Sequence, residues 1–258
     1  MRPVTLITGA SAGIGTALAH EFARHGHELL LIARREQRLA ELADAIAAQG
    51  HKRPLLLPVD LGAPDAVGRI ADALARLDVE PDTVVNNAGF GLVGAAAKLD
   101  LTEQLAMIDL NVRVLTDLSL AFVETLQRHG GGILNVASVA GFLPGPGMAV
   151  YYASKAYVLS FSEALHRELK PRGVRVTVLC PGPVRTEFQT RAGVRNERYP
   201  SLVTQTPEQV AQAGYRGFMA GRRLVVPGIG NKLITILLRA SPRGFAAAEV
   251  EARQRHRQ

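Results

Sequence analysis

The sequence predicts an α/β protein, a doubly wound parallel sheet with helices on both faces. Three observations carry that expectation. A short apolar run at residues 4–8 enters the glycine-rich turn T-G-A-S-A-G-I-G, and a helix opens straight after it. Short apolar runs then alternate with helical stretches of ten or more residues along most of the chain, the pattern of right-handed crossovers between parallel strands. At 258 residues, with 47% hydrophobic content, the chain is long enough for one large core, and nothing resembling a linker divides it.

The first strand, 4–8, leads through the glycines into a helix over 16–25, closed by Gly26. Strand, glycine turn and helix start are the three parts of a dinucleotide pyrophosphate site. Glycines let backbone approach phosphate, and free N–H groups at the helix start face the negative charge. The spacing is G-x-x-x-G-x-G rather than G-x-G-x-x-G, so position between strand and helix carries more weight than the glycines themselves. A second strand, 28–33, ends in Arg34 and Arg35 where an acidic residue would pair with a free ribose 2′-hydroxyl. Arginine there suits a 2′-phosphate, which predicts NADP(H) over NAD(H). The plainer alternative is that both arginines begin a solvated helix over 36–49, capped by Gly50.

Further strands are predicted at 54–59, before Asp60 and Leu61, and at 82–85, before Asn86-Asn87-Ala88-Gly89. A helix over 64–77 lies between them, with Pro64 in its first turn. After a Gly/Ala-rich loop, one long helix is expected from an N-cap at Thr102 to His129, with Asn111 inside it where Asn is mildly unfavourable. The next strand, 133–137, runs to Ser138, and a Gly/Pro-rich loop follows it into a helix that continues to Lys170. That helix carries Tyr151 and Lys155 in its first turns. Four residues rise about 6 Å and return to nearly the same face, so phenol and ammonium can share one cleft. A phenol has a reference pKa of about 10; an ammonium fixed beside it is expected to lower that value and make a proton donor and acceptor for an alcohol oxygen.

A strand at 174–180 precedes Pro181-Gly182-Pro183-Val184-Arg185-Thr186. No period appears over 187–205, and residues 183–206 are expected to form a substrate loop. A helix opens at Thr206, a last strand covers 223–227, and 231–238 reads as a short apolar helix before a basic tail, so that 231–258 is apolar first and basic after.

The net charge of +7 is concentrated there: from Arg222 onward eight basic residues face two acidic ones. A nearly neutral body argues against nucleic-acid binding, and the tail leaves contact with an anionic surface open. One cysteine, Cys180, excludes an intramolecular disulfide framework and suggests a reducing compartment. The N-terminus runs directly into the glycine motif, leaving no room for a cleavable signal, and no apolar run reaches membrane-span length, so a cytoplasmic location is expected. The seven histidines show no metal-ligand spacing, and no metal is expected.

Taken together and in order, T-G-A-S-A-G-I-G at 8–15, Asp60, N-N-A-G at 86–89, Asn111, Ser138, Y-Y-A-S-K at 151–155 and Pro181-Gly182 with Thr186 resemble the short-chain dehydrogenase/reductase family over nearly the whole chain. The resemblance implies a seven-stranded Rossmann-type sheet and hydride transfer between a nicotinamide and a carbonyl or alcohol carbon. It implies Tyr151 as general acid or base, Lys155 tuning it and holding the nicotinamide ribose, Ser138 on the substrate oxygen, and Asn111 holding a relay water. It puts Gly9, Ser11, Gly13, Ile14, Gly15, Arg34, Arg35, Asp60, Leu61, Asn87, Ala88, Gly89, Pro181, Gly182, Val184 and Thr186, with Tyr151 and Lys155, against the dinucleotide. Asp60 would contact adenine and Thr186 the carboxamide. Phe90, Phe142, Leu143, Met148 and Phe188 would make an apolar substrate pocket, pointing to a hydrophobic ketone or aldehyde. A homodimer or homotetramer is the family's habit. Two alternatives stay open: a membrane-surface enzyme acting on a lipid ketone, its tail on an anionic bilayer, and a non-catalytic NADP(H)-sensing or scaffold protein.

Overall fold

The computed structural model describes residues 1–193 and 203–240, with side chains described to residue 237. Its centre is one sheet of seven parallel strands in the order β3-β2-β1-β4-β5-β6-β7. The strands are β1 (Arg2–Thr8), β2 (Leu29–Ala33), β3 (Leu55–Pro58), β4 (Val79–Asn86), β5 (Gly132–Val136), β6 (Arg175–Leu179) and β7 (Leu224–Val225). Most of β1, β2, β5 and β6 is buried on both faces, which is why these segments read as continuous apolar runs.

The chain starts mid-sheet, winds outward through β2 and β3, then returns to place β4 on the other side of β1. The strand order therefore reverses between β1 and β4, and ligand crevices in such sheets open above that point. β4 begins three residues earlier than its sequence suggested. Val79, Glu80 and Pro81 pair with Arg2, Pro3 and Val4 ahead of a register shift at Val4/Thr5.

The helices are α1 (Gly13–Arg24), α2 (Glu36–Ala48), α3 (Ala66–Arg76), α4 (Leu101–Ile108), α5 (Leu115–Ala121), α6 (Val123–Arg128), α7 (Ala149–Leu169), α8 (Glu187–Ala192), α9 (Pro207–Met219) and α10 (Ile229–Ala240). One sheet face is packed by Leu18, Phe22, Leu39 and Phe218 from α1, α2 and α9. The other is packed by Ile70, Leu118, Leu126 and Leu165 from α3, α5, α6 and α7.

The single long helix expected over 102–129 is not continuous. A π-helical turn, Asp109–Val114, separates α4 from α5, and Phe122 at φ −113° separates α5 from α6. Thr116, Ser119 and Thr125 each turn a hydroxyl back onto a carbonyl of the preceding turn, competing with the ladder. Nor is Thr102 the cap: Asp100 accepts from the Glu103 N–H at 2.9 Å. Residues 187–193 are not structureless either, while residues 194–202 of the expected substrate loop lie outside the described residues. Thr186 and Gln189 form a reciprocal capping box that starts α8, and Gly193 at φ +81° ends it. The first helix opens at Gly13 rather than Thr16, and α10 two residues ahead of Asn231. The basic tail from residue 241 lies outside the described residues. Among the described residues no helix is long and apolar enough to cross a membrane, and no group of three His, Cys, Asp or Glu could hold a metal ion.

Candidate active site

A cleft of about 1180 Å³ opens above the β1/β4 reversal. Its floor is the glycine turn. Thr8 Oγ1 accepts from the Asn87 and Ala88 N–H groups at 3.0 and 3.1 Å, and Asn87 Nδ2 donates to the Thr8 and Gly9 carbonyls at 3.0 and 3.2 Å. The N-N-A-G strand end is thereby bolted to the turn. Gly9 (φ +65°) and Gly13 (φ +55°) occupy the left-handed region that favours glycine. Ser11, Gly13 and Ile14 line the cleft where α1 begins, with no side-chain cap on its free N–H groups. Gly15 does not face the cleft, contrary to its expected cofactor contact. A Cβ there would overlap the Gly9 carbonyl oxygen and crowd Asn87 Nδ2, so its role is close packing behind the turn. These residues fit a dinucleotide pyrophosphate: a side-chain-free cradle facing a helix start.

At one end of the cleft stand Arg34, Arg35, Asp60 and Leu61. Arg34 and Asp60 approach to 3.9 Å, both more than half exposed. Arg35 is already engaged, donating to the Ser11 carbonyl at 3.1 Å and pairing with Glu187 at 2.8 Å.

At the other end the structure brings Ser138, Tyr151, Lys155 and Asn111 together. Ser138 follows β5, and Tyr151 and Lys155 project from the first turns of α7. Ser138 hydrogen-bonds the Tyr151 hydroxyl, which draws its pKa down, but burial of the phenol outweighs this and pushes it up to about 12. The expected depression of the phenol by Lys155 is thus reversed. Lys155 Nζ lies 6.0 Å from the Tyr151 ring centre and donates instead to the Val136 carbonyl at 2.9 Å. Burial lowers Lys155 itself to about 8, with Cys180 acting weakly the other way. Cys180 is fully buried at the end of the sheet, in keeping with a packed thiol.

Asn111 sits in the π-helical turn, with no solvent exposure. Its amide holds both backbone groups of Phe90, accepting from N–H at 3.1 Å and donating to C=O at 2.9 Å, and donates to Ser154 Oγ at 3.1 Å. Ser154 in turn donates to the Tyr151 carbonyl at 2.7 Å. The turn thus couples the strand end of β4 to the tyrosine's own backbone.

Phe90, Leu143, Met148 and Phe188 line the cleft, with the Tyr151 and Phe188 ring centres 5.4 Å apart. Phe142 does not. It packs against Ala137, Val158 and Cys180, since the short 3-10 turn Val139–Phe142 directs it into the core. Pro181, Gly182, Val184 and Thr186 form the wall opposite, Thr186 serving as the cap of α8. Sequence reasoning passed over Asn231, which is buried, lines the cleft, and donates to the Val203 and Pro227 carbonyls at 3.1 Å each. A Cβ on Gly182 would collide with it. A polar residue opening an apolar helix was the available signal. Gln189 and Arg191 were also missed, though the T-E-F-Q spacing that starts α8 is legible in the sequence.

A phosphate cradle, a buried phenol with a serine on its hydroxyl, and a buried amine on the same helix define an oxidoreductase that uses a nicotinamide dinucleotide on carbonyl or alcohol carbons. Residues 3–197 match the family model for short chain dehydrogenase, and the chain belongs to that family. It is 41% identical over 191 residues to sulfoacetaldehyde reductase 2 of Chromohalobacter salexigens, covering 73% of this chain and 75% of that one. Among solved structures it is similar to a short-chain dehydrogenase from Sphingobium yanoikuyae in complex with NADPH (34% identity, TM-score 0.79, 88% of each chain). It is also similar to the bulky-bulky ketone specific alcohol dehydrogenase from Comamonas testosteroni (30% identity, TM-score 0.76, 88% of this chain and 86% of that one).

Proposed function

We propose that the chain is an NADP(H)-dependent carbonyl reductase working on a ketone or aldehyde with apolar substituents. The observation that carries this reading is the Tyr151 phenol, hydrogen-bonded to Ser138 and held protonated by burial beside a cleft shaped for a dinucleotide. A phenol at about 12 keeps its proton at neutral pH and gives it up only as a stronger base, an alkoxide, forms beside it. A nicotinamide dinucleotide held by the glycine turn, Lys155 and Thr186 would supply the hydride for the carbonyl carbon. Tyr151 Oη gives its proton to the carbonyl oxygen, Ser138 Oγ–H stabilises the charge developing there, and the phenolate left behind is reprotonated from solvent. Lys155 carries its positive charge below about pH 8 and opposes the negative charge left on the phenol. Asn111, through Phe90 and Ser154, is a positioning residue for this group, and the family resemblance also gives it a relay water.

Asp60 and Leu61 suit adenine, and Thr186 the carboxamide. Arg34, exposed at the ribose end with only a long contact to Asp60, supports a 2′-phosphate and so NADP(H); the NADPH complex of the similar Sphingobium protein agrees. The apolar wall of Phe90, Leu143, Met148 and Phe188 supports a hydrophobic substrate, as does the bulky-ketone preference in the Comamonas protein's name, whereas the sulfoacetaldehyde reductase is named for a small anionic one. A cytoplasmic homodimer or homotetramer belongs to the same proposal, resting on the single cysteine and on family membership.

A panel of aryl and alkyl ketones, neutral aldehydes and sulfoacetaldehyde, each offered with NADPH and NADH and followed at the nicotinamide absorbance, tests it. Turnover of bulky ketones with NADPH supports the reading; NADPH binding without turnover of any carbonyl overturns it. Arg34→Asp should weaken NADPH and favour NADH; an unchanged preference removes Arg34 from the account.

A further inference from the structure

The short helix α8 crosses the cleft from bank to bank. At its start Thr186 packs on the glycine turn, so that a Cβ on Gly13 would lie 2.9 Å from the threonine methyl, and Glu187 pairs with Arg35 at 2.8 Å. At its end Val93 N–H donates to the Ala192 carbonyl at 2.9 Å, and the Arg191 guanidinium lies 4.4 Å from the centre of the Phe90 ring. Glu187 and Arg191 are four residues apart, one turn along the same helix face. The face that reaches Arg35 is therefore the face that carries Arg191.

Arg191 lines the cleft together with Arg34 and Arg35. Its pKa is lowered first by burial and next by Arg34, with Asp60 and Glu103 acting against this and Arg35 adding to it. Among the described residues no carboxylate stands within ion-pairing distance of it. Arg35, by contrast, is spent on Ser11 and Glu187. Arg34 and Arg191 thus line the same cleft, Arg34 with only a 3.9 Å contact to Asp60 and Arg191 stacked on Phe90 with no carboxylate partner among the described residues.

We propose that Arg191, across the cleft from Arg34, is a specificity-determining residue that binds the 2′-phosphate of the dinucleotide, so that a phosphorylated cofactor tethers α8 over the cleft and an unphosphorylated one does not. This rests on the NADP(H) reading above. Guanidinium–phosphate pairs are strong, directional contacts, and here one would join two elements far apart in sequence. Phe188 lies on the same helix against Tyr151, so the cofactor's phosphate would also set the wall of the substrate pocket.

The test is titration of NADPH and NADH into wild type, Arg191→Gln, Arg191→Lys and Arg34→Gln/Arg191→Gln by nicotinamide fluorescence, with hydrogen exchange followed over residues 187–192. The ratio of NADH to NADPH dissociation constants should fall on the order of tenfold in Arg191→Gln and be largely restored in Arg191→Lys. NADPH should slow exchange in α8 more than NADH does in wild type, and equally in Arg191→Gln. An unmoved ratio overturns the proposal. So does a parallel rise in both constants, which marks a structural role, or a rise confined to substrate KM, which puts Arg191 in the substrate pocket. Wild type that binds neither cofactor would instead sink the NADP(H) reading itself.

Discussion

Replacing Asn111 with leucine removes a buried amide while keeping the same number of side-chain heavy atoms. The Phe90 N–H and C=O, each bonded to that amide at 3.1 and 2.9 Å, lose their partners inside a residue that is 8% exposed. An orphaned buried backbone group costs about 1–3 kcal/mol, so the pair costs about 2–6 kcal/mol. Ser154 keeps its bond to the Tyr151 carbonyl, so its lost contact adds little. For a chain of this size a loss of about 4 kcal/mol lowers Tm by roughly 8–16 °C. Urea unfolding should show the midpoint falling with an unchanged slope, since the surface exposed on unfolding is the same. Turnover should fall at least tenfold in the folded fraction, because Asn111 and Lys155 flank Gly89, beside Phe90, so closely that a Cβ there would lie 2.8 Å from Asn111 Oδ1 and 3.5 Å from Lys155 Nζ. A stability loss under about 1 kcal/mol, with full turnover, would show that the π-helical turn does not position this site.

The remaining expectations follow from the cradle and the buried amine. Gly15→Ala should abolish dinucleotide binding, measured by fluorescence titration, because its methyl displaces the Gly9 carbonyl; normal affinity would refute the packing role. Lys155 has a folded pKa of about 8 against a reference of 10.5, so the unfolded chain binds more protons between those values. Its burial cost, about 3 kcal/mol, is therefore present in full below about pH 8 and relieved as pH rises toward 10.5. The reduction rate should run the other way, falling as pH rises through about 8 and the ammonium is lost; a flat single-turnover rate from pH 6 to 10 would remove Lys155 from proton transfer.

Glycines, helix starts and the Y-Y-A-S-K spacing made the sheet, the cradle and the catalytic cluster legible, because each carries a pattern readable within a few consecutive residues. What escaped the sequence depends on tertiary partners. Pro81 pairs within β4 because Arg2–Val4 lies beside it, and Asn111, in the π-helical turn Asp109–Val114, has its partner on the distant Phe90. Phe142 is apolar in a loop beside the site, and only the turn geometry decides that it faces the core. The charge balance of the phenol was misjudged for a related reason. Proximity of Lys155 was readable, but the Val136 carbonyl that holds it and the burial of both groups were not.

Single-turnover oxidation of bound NADPH by Tyr151→Phe, with cofactor affinity measured on the same preparation, tests the central claim most directly. The phenol's removal should leave NADPH affinity within about threefold and cut the carbonyl reduction rate by two orders of magnitude or more, the usual scale of general acid catalysis being about 10²–10⁴-fold. Tight NADPH binding with reduction at the wild-type rate would show that the proton comes from elsewhere and contradict the account.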